Sequence, residues 1–204
     1  MVVEVAKDEF LPGVAKVHRK CFPEYFITTF GESLIEEYYR CYLKIDNLFV
    51  VAKEGETIIG FCMGYRQGSN ARSTFLKENK IKLSLKMILQ IFRRNKLVIT
   101  KCWNYFLGYF VRKKSETKCS KIVDGDLLSI CVLPEFRGKG ISVELVKEFE
   151  KLLTEQNIGE YLLSVYKTNI KAIHFYTKMG FTVIAETDDE YKMFKRIEVE
   201  NDNN

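Results

Sequence analysis

The sequence predicts an α/β domain, more strictly α+β, built on a mixed sheet. Three observations carry that prediction. Apolar runs of strand length alternate with longer runs whose apolar residues recur at helical spacing. Two of the strand-like runs, Leu48–Ala52 and Ile58–Tyr65, flank Lys53-Glu-Gly-Glu56, the pattern of an antiparallel hairpin with Gly55 in the turn. A further run, Asp126–Leu133, is closed by Pro134 and followed by a turn with two glycines and an amphipathic helix. At 204 residues, 47% of them hydrophobic and 13% aromatic, the chain is long and apolar enough for one well-packed core, which excludes a disordered chain.

In order, Val2–Val5 reads as a short strand, and Asp8 as the cap of a helix carrying Phe10, Val14, Val17 and Cys21 on one side. Pro23 interrupts it. A second helix follows from about Glu32, rich in aromatics (Tyr38, Tyr39, Tyr42), and then the hairpin. After Asp126–Leu133, the residues Ile141, Leu145, Phe149, Leu152 and Leu153 mark one face of a helix. Tyr161–Tyr166 is a strand, Ala172–Met179 a short helix, and Phe181–Ala185 with Tyr191–Ile197 a closing hairpin. The domain is expected to span 1–198, with a flexible tail at 199–204.

Residues 69–122 break this rhythm. Ile81, Leu85, Ile88, Leu89 and Phe92 form one helical stripe, and Ile99, Trp103, Phe106, Leu107 and Phe110 repeat its spacing. With Arg93-Arg-Asn-Lys96 as the turn, the segment reads as a helical hairpin inserted between two strands. It carries 14 Lys+Arg against two acids, a charge of +12, whereas the rest of the chain carries −7. The net +5 therefore describes no actual surface. Three readings of the insertion stand side by side: its stripes bury against the domain or each other, it attracts a phosphorylated acceptor to a nearby cleft, or it docks on anionic lipid.

Six cysteines without a C-x-x-C pair, most of them in apolar runs, fit a reduced protein. The N-terminal residues lack the basic start and apolar run of a signal peptide, so a cytoplasmic location is expected. With only His18 and His174, no His-rich metal centre and no metal cofactor are expected. His18 reads as a polar surface residue on its helix.

The chemistry is concentrated in Leu128–Ser142. Backbone N–H groups at a helix start are unpaired, and the helix dipole favours negative charge there. Gly138 and Gly140 lack the β-carbons that would hold a phosphate away from that backbone. The spacing is neither G-x-x-x-x-G-K-[ST] nor G-x-G-x-x-G, since Val143 stands where the third glycine would be. About thirty residues on, Asn169 leaves a strand and enters a helix, followed by Ala172, Phe175, Tyr176, Gly180 and Phe181.

Taken together, Arg137-Gly-Lys-Gly140-Ile-Ser142 resembles the R/Q-x-x-G-x-G/A acyl-CoA loop of the GNAT superfamily of N-acetyltransferases. Asn169–Phe181 resembles that family's N-x-x-A-x-x-F-Y-x-x-x-G-F continuation. The order of elements is similar as well, over nearly the whole chain except 69–122. Ser142 departs from the pattern, standing where the family has Gly or Ala. Less specifically, the N-terminal run and the long insertion resemble GNAT proteins associated with surface-polysaccharide pathways.

The resemblance implies a GNAT fold in which two parallel strands, here Asp126–Leu133 and Tyr161–Tyr166, splay apart around a pantetheine arm. It implies acetyl-CoA as co-substrate, with its amides pairing to the backbone of Ile130, Cys131 and Val132. The pyrophosphate would rest on the amides of Arg137, Gly138, Lys139, Gly140, Ile141 and Ser142, and Asn169 would orient the pantetheine. Tyr176 matches the family's usual general acid, and Asp126 the place of a carboxylate base. Each has a plainer reading: a capping residue for Asn169, a core aromatic for Tyr176, a polar residue at a strand start for Asp126. The implied acceptor is a small-molecule amine, such as an amino-sugar nucleotide, held near Tyr25, Phe26 and Thr29. A protein or peptide acceptor and a non-catalytic acyl-CoA sensor are the alternatives. Nucleic acid is not an expected partner; a membrane surface touched through 69–122 stays one of the three readings of the insertion, and the chain is expected to be a monomer or homodimer.

Overall fold

The computed structural model describes residues 1–92, 99–100 and 123–198. Seven strands form one sheet in the order β1-β2-β3-β4-β5-β7-β6. They are β1 (Val2–Val5), β2 (Phe49–Glu54), β3 (Thr57–Arg66), β4 (Gly125–Val132), β5 (Glu160–Tyr166), β6 (Thr182–Glu186) and β7 (Glu190–Arg196). All neighbours pair antiparallel except β4 and β5.

Two helices, α1 (Leu11–Cys21) and α2 (Glu32–Ile45), cover one face of the sheet, and α5 (Ile141–Glu155) covers the other. Tyr39 of α2 lies 5.4 Å from the ring of Phe49 and 5.2 Å from that of Phe61. On the opposite face Phe149 of α5 packs 5.8 Å from Tyr161. These rings are fully buried, each worth about 1.5–3 kcal/mol of hydrophobic stabilisation. Asp8 does not cap α1. It stands in a single 3-10 turn and bonds Arg40 of α2 at 2.8 Å, tying the two helices together.

Two local features shape the site. First, β4 and β5 pair over only Gly125↔Tyr161 and Asp126↔Leu162. β5 continues to pair with β7 as far as Tyr166, so beyond Leu162 its other edge opens away from β4 in a V. Second, the β3–β4 register slips: Met63 faces Ser129, but Gly64 faces Leu127. The slip leaves Leu128 as an extra residue. Without it Asp126 and Ser129, three residues apart, would point to opposite faces. With it both stand on the α1/α2 face, Ser129 beside Tyr39 and Asp126 beside Tyr65. Gly64 sits at the slip because a β-carbon there would fall 2.4 Å from the Asp126 carbonyl and 2.5 Å from the Phe149 ring.

Of the insertion, α3 (Ala71–Glu78) and α4 (Lys80–Phe92) are described. They close over a small second cluster of Phe30, Leu34, Cys41 and Phe75, against which Leu83 and Met87 pack. The stripe that the periodicity marks as buried is turned outward, with Ile81 75% and Phe92 82% exposed. The expectation that it packs on the domain is therefore corrected. Lys86 and Gln90, on the other side of α4, bond the carbonyls of Phe30 and Thr29, and those two anchors set which face turns inward. The second stripe, with Trp103, Phe106, Leu107 and Phe110, lies outside the described residues. The same holds for the 199–204 tail.

Candidate active site

The glycine turn is built as the sequence predicts. Gly138 and Gly140 take φ of +78° and +79°, where L side chains are strained, and open space surrounds the position of a β-carbon at each. Gly140 starts α5, and no side chain caps that helix. The N–H groups of its first turn, with those of Ile141 and Ser142 among them, thus lie at an uncapped helix start of the kind that binds anions. Arg137 reaches back from the turn, its Nε donating to the Val132 carbonyl at 2.9 Å. Lys139 holds its ammonium 5.1 Å from the Phe136 ring centroid.

The strand leading to this turn presents an open edge. The Leu133 N–H bonds Ile59, and the Cys131 carbonyl faces Gly60, so the backbone groups of the odd residues are directed toward β3. Those of Ile130 and Val132 are directed into the V. An extended amide chain entering there would meet strand-like donors and acceptors, and phosphates at its end would meet the uncapped helix. The cleft has the form a pantetheine pyrophosphate needs.

Cys21, at the end of α1, adds a thiol to this edge. Its Sγ donates to the Val132 carbonyl at 3.5 Å. A hydrogen bond with Cys131, and after it Arg137, hold the Cys21 thiol below the ordinary range.

On the far side of the V, α6 (Ile170–Lys178) carries two expected residues. Asn169 is its cap, Oδ1 accepting from the Ala172 N–H at 3.2 Å. Tyr176 is only 8% exposed and its ring packs 5.4 Å from both Phe175 and Phe181. Burial, with Cys62 and Tyr25 nearby, pushes its phenol upward, so the group is a proton donor at any physiological pH. Tyr25 and Tyr166 of β5 border a common cavity.

Next to the V lies a cavity of about 840 Å³ between α1, α2, the insertion and β4. Tyr25 and Phe26, two of the residues expected near the acceptor, line it. Thr29 does not: its hydroxyl donates to the Phe26 carbonyl at 2.7 Å, and its own carbonyl takes Gln90. Tyr38, Tyr39, Tyr42 and Tyr65 also converge on it, among apolar side chains such as Ile27, Phe75 and Met87. Tyr65 hydrogen-bonds Asp126, and burial pushes that carboxyl up to about 6 against the pull of Tyr65 and Lys192. A carboxylate tuned there can take a proton more readily than an ordinary aspartate.

His18 corrects the sequence reading. It is 3% exposed, its Nδ1 2.7 Å from the Tyr39 hydroxyl and its Nε2 3.1 Å from Thr28 Oγ1. Burial lowers its pKa to about 4, so the ring is neutral. Its neighbours at helical spacing in α1, Val14 and Ala15, lie on the buried side, and that spacing was the one available signal. Tyr39, Tyr65 and Ser129 were also missed as site residues, since only the register slip and the docking of α2 bring them to the cavity.

Similarity to known proteins follows the same lines. Residues 105–181 match the sequence model of the Acetyltransferase (GNAT) family. The spermidine N(1)-acetyltransferase of Escherichia coli (strain K12) is 38% identical over 63 residues, 30% of this chain and 34% of that protein. The match thus spans about a third of that relative's length. Among solved structures, PH1933 from Pyrococcus horikoshii OT3 superposes with a TM-score of 0.61 at 20% identity, covering 97% of this chain and 98% of its own. The PaiA N-acetyltransferase of Thermoplasma acidophilum, solved in complex with coenzyme A, gives 0.56 at 20% identity over 96% and 99%. The chain has the GNAT fold, and its residues 105–181 are similar to the GNAT acetyltransferases.

Proposed function

We propose that this protein transfers the acetyl group of acetyl-CoA to a primary amine of a small molecule bound in the tyrosine-lined cavity. The observation that carries the reading is the junction of two spaces: the V between β4 and β5, ending at the uncapped start of α5, opens beside the cavity that holds Tyr65 and leads to Asp126. The V fits acetyl-CoA, which supplies the acetyl thioester. The backbone of Ile130 and Val132 holds the pantetheine, the 137–142 turn holds the pyrophosphate, and Asn169 orients the arm from its capping position. Cys131, expected beside them, is corrected, since its backbone is turned to β3.

Asp126 accepts a proton from the acceptor ammonium, directly or through water. The free amine attacks the thioester carbonyl, a C–N bond forms as the C–S bond breaks, and Tyr176 gives its proton to the departing thiolate. The surplus proton on the new amide nitrogen passes through water to the Tyr176 phenolate, which leaves a neutral amide and restores the phenol. Positioning supplies most of the rate, since both reactants are held by a preformed fold.

The acceptor belongs to the small amines, the class that includes the polyamine for which the Escherichia coli relative is named. Arg72, from the basic insertion, lines the same cavity. It favours an acceptor that also carries an anionic group, such as the amino-sugar nucleotides of surface-polysaccharide synthesis. Incubating the protein with acetyl-CoA and spermidine, UDP-glucosamine or a short peptide, and following free thiol, tests the reading. Thiol release with one of the small amines supports it. Release with the peptide alone makes it a protein acetyltransferase, and cofactor binding without release for any amine makes it a sensor.

A further inference from the structure

The outward stripe of α4 is left unexplained by the acetyl-transfer site. Ile81, Leu85, Ile88, Leu89 and Phe92 are each more than half exposed and lie along one side of the helix. A contiguous exposed apolar patch of this kind marks a surface that meets something apolar. The other side of α4 is committed. Leu83 and Met87 pack on the cluster of Phe30 and Phe75 and line the tyrosine-lined cavity, while Lys86 and Gln90 bond the carbonyls of Phe30 and Thr29. The helix is therefore a wall with the cavity on one side and exposed apolar residues on the other.

The charges around the stripe point to what covers it. At about 100° per residue, Lys80 and Lys82, both exposed, fall on the two flanks of Ile81. Lys77, also exposed, precedes them in the last turn of α3. In the sequence, residues 79–115 hold ten Lys+Arg and no acid. A second copy docking stripe to stripe would bring these like charges together. An anionic bilayer satisfies both features at once: its acyl region takes the Leu, Ile and Phe side chains, and its phosphates take the flanking ammonium groups.

We propose that the outer face of α4 docks on an anionic membrane surface, with its apolar stripe at the boundary of headgroups and acyl chains and Lys80 and Lys82 on the lipid phosphates. At 13 residues α4 is too short to span a bilayer and lies along it. Docking sets the cavity about one helix diameter from the bilayer, close to any amine that the membrane carries. The proposal stands apart from the acetyl-transfer reading, because docking needs no turnover.

Flotation of the full chain with lipid vesicles tests it. Vesicles of phosphatidylcholine and phosphatidylglycerol in equal parts should carry the protein up a density gradient, and phosphatidylcholine alone should not. Added salt should weaken the binding. Leu85→Glu places a charge at an exposed position, so it should leave Tm unchanged and lower vesicle affinity at least tenfold. Lys80→Gln combined with Lys82→Gln should lower it about 25-fold, at roughly fivefold for each lysine near an anionic surface. Failure of wild type to float with the anionic vesicles, equal binding to the neutral ones, or unchanged affinity in either variant overturns the proposal. A lowered Tm in Leu85→Glu without flotation of wild type assigns the stripe to the chain's own second stripe. A dimer in light scattering that Leu85→Glu dissociates assigns it to a second copy. Either result overturns membrane docking. Thiol release from acetyl-CoA with spermidine, followed on the same preparation, is read separately: its absence removes the acetyl-transfer reading and leaves docking to stand on flotation.

Discussion

Tyr65 and Asp126 face each other across the β3–β4 ladder, and the tyrosine hydroxyl bonds the carboxylate at the edge of the tyrosine-lined cavity. The pair is set one residue beyond the register slip that turns Asp126 toward α2. Burial dominates its titration: the carboxyl is raised from 3.8 to about 6.

That value fixes a pH dependence and its sign. The raised carboxyl favours the protonated form in the folded state, so the group's contribution to stability is greatest at low pH and declines as pH rises from about 4 through 6. Asp126→Asn should therefore cost no Tm at pH 7.5. As a base, however, Asp126 works only when ionised. The profile of kcat/KM should bend near pH 6 in wild type, and the bend should be missing in Asp126→Asn, which loses at least tenfold in rate.

Tyr176 sits among Phe175 and Phe181, and its aromatic packing does not need the hydroxyl. Tyr176→Phe should fold with unchanged Tm and bind acetyl-CoA as wild type does, while kcat falls about 100-fold, the low end for loss of a general acid. Calorimetry and steady-state rates on one preparation separate the two effects. Unchanged kcat would remove Tyr176 from the chemistry.

Gly140 combines a left-handed backbone with the start of α5. In Gly140→Ala, the added methyl meets open space, so the cost is conformational, about 1–2 kcal/mol. That is a fall of roughly 2–8 °C in Tm for a chain of this size. If the turn holds the pyrophosphate, acetyl-CoA affinity should drop by more than this strain implies, by tenfold or greater. Dephosphorylated pantetheine, which lacks the pyrophosphate, should bind wild type and variant alike.

Among the described residues, Cys21 is the thiol expected to react first. It is partly exposed and lowered by Cys131 and Arg137, whereas Cys62 and Cys131 are buried and raised. Limited alkylation with iodoacetamide at pH 7.5, mapped by peptide mass, should label Cys21 before either. Because its thiol shares the Val132 carbonyl with Arg137, acetyl-CoA in the V should slow the labelling.

The order of strands and helices was legible because it is written in local periodicity. The 137–142 turn was legible because two glycines before an amphipathic helix have a specific backbone meaning, which +78° and +79° bear out. His18, Ser129 and the inward face of α4 were not. His18 is polar on a helix, and only the partners Tyr39 and Thr28, distant in sequence, justify its burial. Ser129 and Asp126 share a face through a one-residue slip that leaves no mark in composition. The inward face of α4 was decided by two side chains bonding carbonyls of a turn some sixty residues earlier, against the stronger apolar stripe.

The central claim, transfer of acetyl from acetyl-CoA to an amine in the tyrosine-lined cavity, is tested most directly with isotopically labelled acetyl-CoA. Incubating it with the protein and spermidine or UDP-glucosamine, then following label and thiol together, should show one labelled acetyl group on the amine for each coenzyme A released. Both should be lost in Asp126→Asn and Tyr176→Phe. Binding of acetyl-CoA with no label on any amine, or label transfer that survives both substitutions, would contradict it.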